Sequence, residues 1–179
     1  EKGDHPEADT SEELDLEGIQ LYQSLIGYLQ WVIQLGCLNI TTAMMTLSSF
    51  CANHRQGHLD QIKWIYGYLL KFKHSAICVN TNEPDFSHLP DKHYDWEYSV
   101  YWEAKEELPD DAPTPHGRPV TPVSYIDAYL YHDIVNGSSV TGLIHFLNSF
   151  PVDWFSKLQL VVNTATYGSE FMAGRIGTV

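Results

Sequence analysis

The chain has 179 residues, 44% of them hydrophobic and 13% aromatic, with a formal net charge of -13. That apolar content excludes a disordered chain and is enough for one ordinary domain or two small ones. Cys37, Cys51 and Cys78 are widely spaced and form no C-x-x-C pair, which argues against a disulfide framework and a zinc finger. The net charge argues against nucleic acid only until its distribution is considered. Residues 1–17 hold eight acids and one lysine, and residues 83–111 hold ten acids and two lysines. Between Gly18 and Lys73, Asp60 alone stands against Arg55, Lys63, Lys71 and Lys73, so this stretch is mildly basic.

Residues 1–17 contain no apolar core of a signal peptide and are expected to be an acidic tail or linker. From Gly18 to Asn53 no charged residue occurs, yet Gln20, Gln23, Gln30, Gln34 and Asn39 interrupt the run, which disfavours a membrane span. Tyr22, Leu25, Ile26, Leu29 and Ile33 recur at helical spacing. So do Ile40, Ala43, Met44, Leu47 and Cys51, and then Ile62, Ile65, Tyr66 and Leu69. Helices are predicted at 18–35, 39–52 and 58–73, with breaks near Gly36 and Asn53–Gly57, and they suggest a helical bundle over 18–80. His54 and His58 stand four apart, and His58 reads as a packing position at the helix start.

Ser75 to Asn80 is a short β-like run. Residues 81–122 hold seven of the nine prolines and form an acidic, irregular connection. Its Tyr94, Trp96, Tyr98, Tyr101 and Trp102 suit either a loop anchored on a neighbour or a β-ribbon. After Pro122 the period becomes two. Strands are predicted at Val123–Leu130, at Val140–Asn148 and from Pro151 to about Lys157, and a helix from Thr166 to Ile176. Asn136-Gly137 is a hairpin-turn signal between the first two strands. His132 and Asp133 read as turn residues. The sequons at Asn39 and Asn136 carry meaning only in a secreted chain.

Asp127 lies within the apolar strand YIDAYL, where a carboxylate is costly unless paired, hydrogen-bonded or bound to metal. Glu170 falls in the first turns of the last helix, ATYGSEFMAG. Taken alone each is an ordinary surface acid; a strand Asp, a three-strand meander and a helix Glu together make a more specific order.

The segments YIDAYLYHD, SVTGLIHFLNSFPVDWFSKLQLVV and ATYGSEFMA resemble the ribonuclease H region of copia-type (Pseudoviridae-like) LTR retrotransposon polyproteins. The matching positions are Asp127-Ala128, Ser139-Val140-Thr141-Gly142, the run from Pro151 through Trp154 to Gln159, and Glu170-Phe171. Upstream, YQSLIGYLQWVIQLG and HLDQIKWIYGYLLKFK resemble the end of the reverse transcriptase with its helical thumb. The resemblance implies an α+β chain: a three-helix segment, then a ribonuclease H-like meander and helix over 123–179. It implies metal-dependent hydrolysis of RNA in RNA–DNA hybrids, with Asp127 and Glu170 as catalytic ligands of Mg2+ or Mn2+. Lys63, Lys71 and Lys73 are candidate phosphate contacts. An intracellular setting follows, a cytoplasmic particle or the nucleus, without a membrane.

The sequence departs from the family at Leu158, where a lysine is common, and at Tyr129, where a polar residue is usual. The polymerase Asp-Asp pair has no counterpart, because Asp110-Asp111 lies in the proline-rich connection. The family's remaining nuclease acids fall on later elements, so the isolated chain is expected to be inactive. The alternative expectation is a domesticated or decayed interaction protein, pairing with a protein partner or with itself through the edge of the Asp127 strand.

Overall fold

A computed structural model describes residues 5–90 and 109–178. The first long helix, α1 (Leu16–Gln34), starts where Asp15 accepts a hydrogen bond from the Gly18 amide at 2.8 Å, an N-cap. Its Tyr22, Ile26, Leu29 and Ile33 form one buried stripe. The helix ends before Gly36, whose φ of 115° suits glycine alone. A 3-10 turn at Leu38–Ile40 leads into α2 (Thr41–Ser48), and α3 (Gln56–Lys71) follows. Ile40, Leu47, Leu59 and Ile62 complete the core begun by α1. The Tyr22 hydroxyl donates to Leu47 O at 2.6 Å, so the buried phenol has a partner.

α2 stops earlier than the predicted residue 52. Ser48 Oγ bonds Met45 O and Ser49 Oγ bonds Thr46 O, and such short-range bonds compete with helix propagation. No described helix is long and apolar enough to cross a membrane.

Residues 5–14 of the acidic N-terminal segment dock on the helices while many of their side chains stay exposed. Pro6–Ala8 makes a 3-10 turn, and Glu12 O accepts from the Gln56 amide while the Leu14 amide donates to His54 O. Arg55 Nη1 donates to Ser11 O at 2.6 Å. Residues 5–14 therefore lie across the start of α3.

No strand forms at 75–80, and none of the described strands pairs with it. That stretch leads instead to the far end of the sheet, where Asn148 Nδ2 donates to Thr81 O and Ser149 Oγ to Asn82 O. The aromatics predicted to anchor or pair, Tyr94 to Trp102, lie outside the described residues.

Three antiparallel strands follow, β1 (Pro122–Tyr129), β2 (Val140–Leu147) and β3 (Phe150–Leu158), in the order β1-β2-β3. The fold is thus a mixed α+β arrangement, as expected. Asn136-Gly137 does not make a tight hairpin. Only Gly137 takes a positive φ, 70°, and Asp133 closes a wider loop by accepting from the amides of Val135 and Asn136. The two-residue connection is Asn148-Ser149, with Asn148 at φ 55° and Leu147 paired with Phe150. The β2–β3 register shifts between His145 and Phe146, opposite Pro151 and Val152, where proline supplies no ladder N–H.

The last helix, α4 (Thr166–Gly177), lies over one face of the sheet, mainly on β1. Gly177 packs so closely on Ile126 and Leu143 that a Cβ would overlap them. The other face meets α2, and the half-buried Trp154 of β3 packs against the helical core.

Candidate functional site

Strand alternation decides where Asp127 points. Ile126 and Ala128 turn inward beneath α4, so Tyr125, Asp127 and Tyr129 occupy the opposite face. Across the sheet Asp127 pairs with Gly142, which pairs with Ser156. This row is the floor of a cavity of about 390 Å³ between the sheet and the start of α2, with Leu38 and Thr42 above it. Asp127 is exposed at the rim, and among the described residues its carboxylate has no ion-pair or hydrogen-bond partner.

Glu170 is exposed on α4. Its neighbour Ser169 is fully buried, and Ser169 O accepts from Gln159 Nε2 at 3.0 Å. The same Nε2 donates to Thr141 Oγ1, and Thr141 is the cross-strand partner of Ala128. Glu170 therefore stands near the level of Asp127 along the sheet, but its helix covers the face from which Asp127 points away. Both carboxylates are hard oxygen donors suited to Mg2+ or Mn2+. Such an ion needs about six ligands, and no group of three or more His, Cys, Asp or Glu side chains gathers among the described residues. The two acids do not fit a two-metal centre by themselves, and no hydrolytic step follows from them alone.

The three lysines have different surroundings. Lys63 Nζ pairs with Asp60 at 2.8 Å on an exposed helix face, a contact that solvent screens. Lys71 Nζ lies 5.4 Å from the Phe72 ring centroid. Lys73, beyond the end of α3, lines a separate groove with Asn39 and Tyr68.

Some polar contacts are invisible to residue spacing. His132 Nε2 lies 2.9 Å from Thr46 Oγ1 and joins the β1–β2 loop to α2. His58 is 2% exposed, stacks on Phe50 at 4.4 Å, and meets Pro6 O through Nε2 at 2.8 Å. The packing role expected for His58 is what the structure shows. The Pro6 contact has no sequence signal, because it depends on the docked N-terminal segment.

The chain is 23% identical over 152 residues to the retrovirus-related Pol polyprotein from transposon TNT 1-94 of Nicotiana tabacum. The match covers 85% of this chain, which spans 9% of the length of that relative. No family model matches the sequence, and no solved structure matches the fold.

Proposed function

We propose that this chain is a segment of a copia-type retrotransposon Pol polyprotein, running from the helical end of the reverse transcriptase into the first half of the ribonuclease H domain. One observation carries the proposal. The Asp127 strand, the three-strand meander and the Glu170 helix occur in the order of the family motifs, in a chain of which 152 residues are similar to the tobacco polyprotein. In this reading the completed domain hydrolyses the RNA strand of an RNA–DNA hybrid in a cytoplasmic particle or the nucleus. By the family resemblance Asp127 and Glu170 would each supply a carboxylate to Mg2+ or Mn2+, a role that needs further acids from outside the described residues and a common face that these two do not share here. Lys63, Lys71 and Lys73 would meet the hybrid backbone.

The test joins this chain to the remaining ribonuclease H sequence of the tobacco polyprotein and measures hybrid cleavage with Mg2+. Cleavage is expected from the joined protein and not from the segment alone, with loss in Asp127→Asn and Glu170→Gln. An inert joined protein removes the nuclease assignment.

A second reading, a domesticated or decayed interaction protein, is favoured by one feature. Among the described residues β1 is paired on one side only, and an unpaired strand edge templates association. Concentration-dependent association in sedimentation experiments supports it. A monomer at every concentration, with rapidly exchanging β1 amides, counts against it.

A further inference from the structure

The C-terminal ends of α1 and α3 leave between them a groove of about 720 Å³. Gly36 shapes one end of it. Its φ of 115° turns the chain off α1, and Ile77 Cδ1 lies 3.2 Å from where a Cβ would stand, so a side chain there would press on the 75–77 stretch. Val32, Leu38, Leu69 and Ile77 give the groove an apolar wall. Tyr68 and Phe72 give it an aromatic one, with ring centroids 4.7 Å apart and both rings partly open to solvent.

Two polar side chains complete the lining. Asn39 Nδ2 donates to the Tyr68 hydroxyl at 2.6 Å, which fixes the amide. Its Oδ1 and second N–H have no partner among the described residues. Lys73 stands beside Phe72, and no acidic residue lines the groove. Two helix C-termini meet here, each equivalent to about half a negative charge. Lys71, 5.4 Å from the Phe72 ring centroid, and Lys73 are full positive charges and outweigh them. The local balance therefore suits an anion.

The lining narrows the choice of anion. A free phosphate has nothing to place on the rings, and an aliphatic acid has nothing to offer the Asn39 amide. A nucleotide matches all three features: a phosphate for Lys73, a π-face for Tyr68 and Phe72, and a polar base edge for Asn39. The volume lies within the range of about 300–1,000 Å³ usual for ligand pockets. A base paired inside a duplex keeps its faces stacked on its neighbours, so the nucleotide must be unpaired.

We infer that this groove receives one unpaired nucleotide of a nucleic-acid strand, its base against Tyr68 and Phe72, its edge on Asn39 and its phosphate on Lys73. The inference rests on the nucleic-acid reading of the proposed function and keeps Lys73 in the phosphate-contact role given there.

The test uses the whole chain and three RNA–DNA hybrids of one duplex sequence at one salt concentration. The first is blunt. The second carries a three-nucleotide single-stranded extension with 2-aminopurine, whose fluorescence falls on stacking. The third carries the same extension without bases. The extended hybrid is expected to bind at least tenfold more tightly than the blunt one, with quenching of the 2-aminopurine. The abasic extension is expected to give less than half of that gain on a logarithmic scale. Phe72→Ala and Asn39→Leu are each expected to reduce the gain while binding the blunt hybrid as the parent does, which also shows that they fold. Equal binding of blunt and extended hybrids, equal binding of the abasic and base-bearing extensions, or an unchanged gain in Phe72→Ala overturns the inference and leaves the nuclease proposal standing. Failure to bind any of the three hybrids overturns both.

Discussion

Ser11 Oγ accepts the Gly57 amide at 2.8 Å, so a residue of the acidic N-terminal segment supplies the cap that α3 lacks. Arg55, at the N-cap position, makes no side-chain cap of its own. Asp9 lies so close to Gly57 that a Cβ there would overlap its carboxylate. Ser11→Ala is expected to cost about 1 kcal/mol, the usual worth of an N-cap. Gly57→Ala is expected to cost more by displacing Asp9. Urea unfolding measures both, and rapid exchange of the Gly57 amide localises the loss. Wild-type stability in Gly57→Ala would show that the segment does not dock.

The same contact makes stability depend on pH. Burial works to raise the Asp9 carboxyl, but the hydrogen bonds from Ser11 N and Oγ, with His58 and Arg55 nearby, bring it below the ordinary range. His54 is held below its ordinary value by burial and by His58. A group depressed in the folded state contributes stability that is complete above its unfolded value and is lost as pH falls through the folded one. Stability is therefore expected to decline first below about pH 6.5, from His54, and again below about pH 3.9, from Asp9. Urea midpoints at pH 7.5, 6.0 and 5.0 follow the first step, which His54→Gln should flatten. An unchanged midpoint across that range would refute the assignment.

Gln159 is 3% exposed and bonds three groups, donating to Thr141 Oγ1 and Ser169 O and accepting from Asn163 Nδ2, each at 3.0 Å. Gln159→Ala leaves buried polar atoms without partners and is expected to cost about 2 kcal/mol. Hydrogen exchange should show the loss concentrated in α4. A uniform loss across α1 would point to general unfolding instead.

Asn148 combines a φ of 55° with side-chain bonds to the Thr121 amide at 2.7 Å and to Thr81 O at 3.0 Å. Asn148→Gly removes the bonds and keeps the conformation; Asn148→Ala also strains the backbone. The alanine variant is expected to be about 1 kcal/mol less stable than the glycine variant. Equal thermal midpoints would mean that the turn relaxes.

The regular elements were legible where burial is one-sided. The stripe from Tyr22 to Ile33 and the alternation of Ile126 and Ala128 with Tyr125, Asp127 and Tyr129 place each element within a few residues. That alternation also reveals which way Asp127 faces, whereas its order relative to Glu170 does not reveal that α4 covers the other side. The charge density of the N-terminal segment suggests solvent, while the docking of its described residues depends on a few short bonds at Asp9, Ser11 and Glu12. Ser75–Asn80 has strand composition without a partner strand among the described residues. Asn136-Gly137 had the composition of a tight turn, but Asp133 organised a wider one, and the tight turn formed at Asn148-Ser149 without glycine.

Trp154 belongs to the sheet by hydrogen bonding and to the helices by packing. Any swing of the sheet relative to the helices must first slide the half-buried indole off the surface of the helical core. The joint therefore behaves as a catch rather than a free hinge, and any coupled movement of the two parts requires a force or a ligand able to release that side chain together with the His132–Thr46 contact.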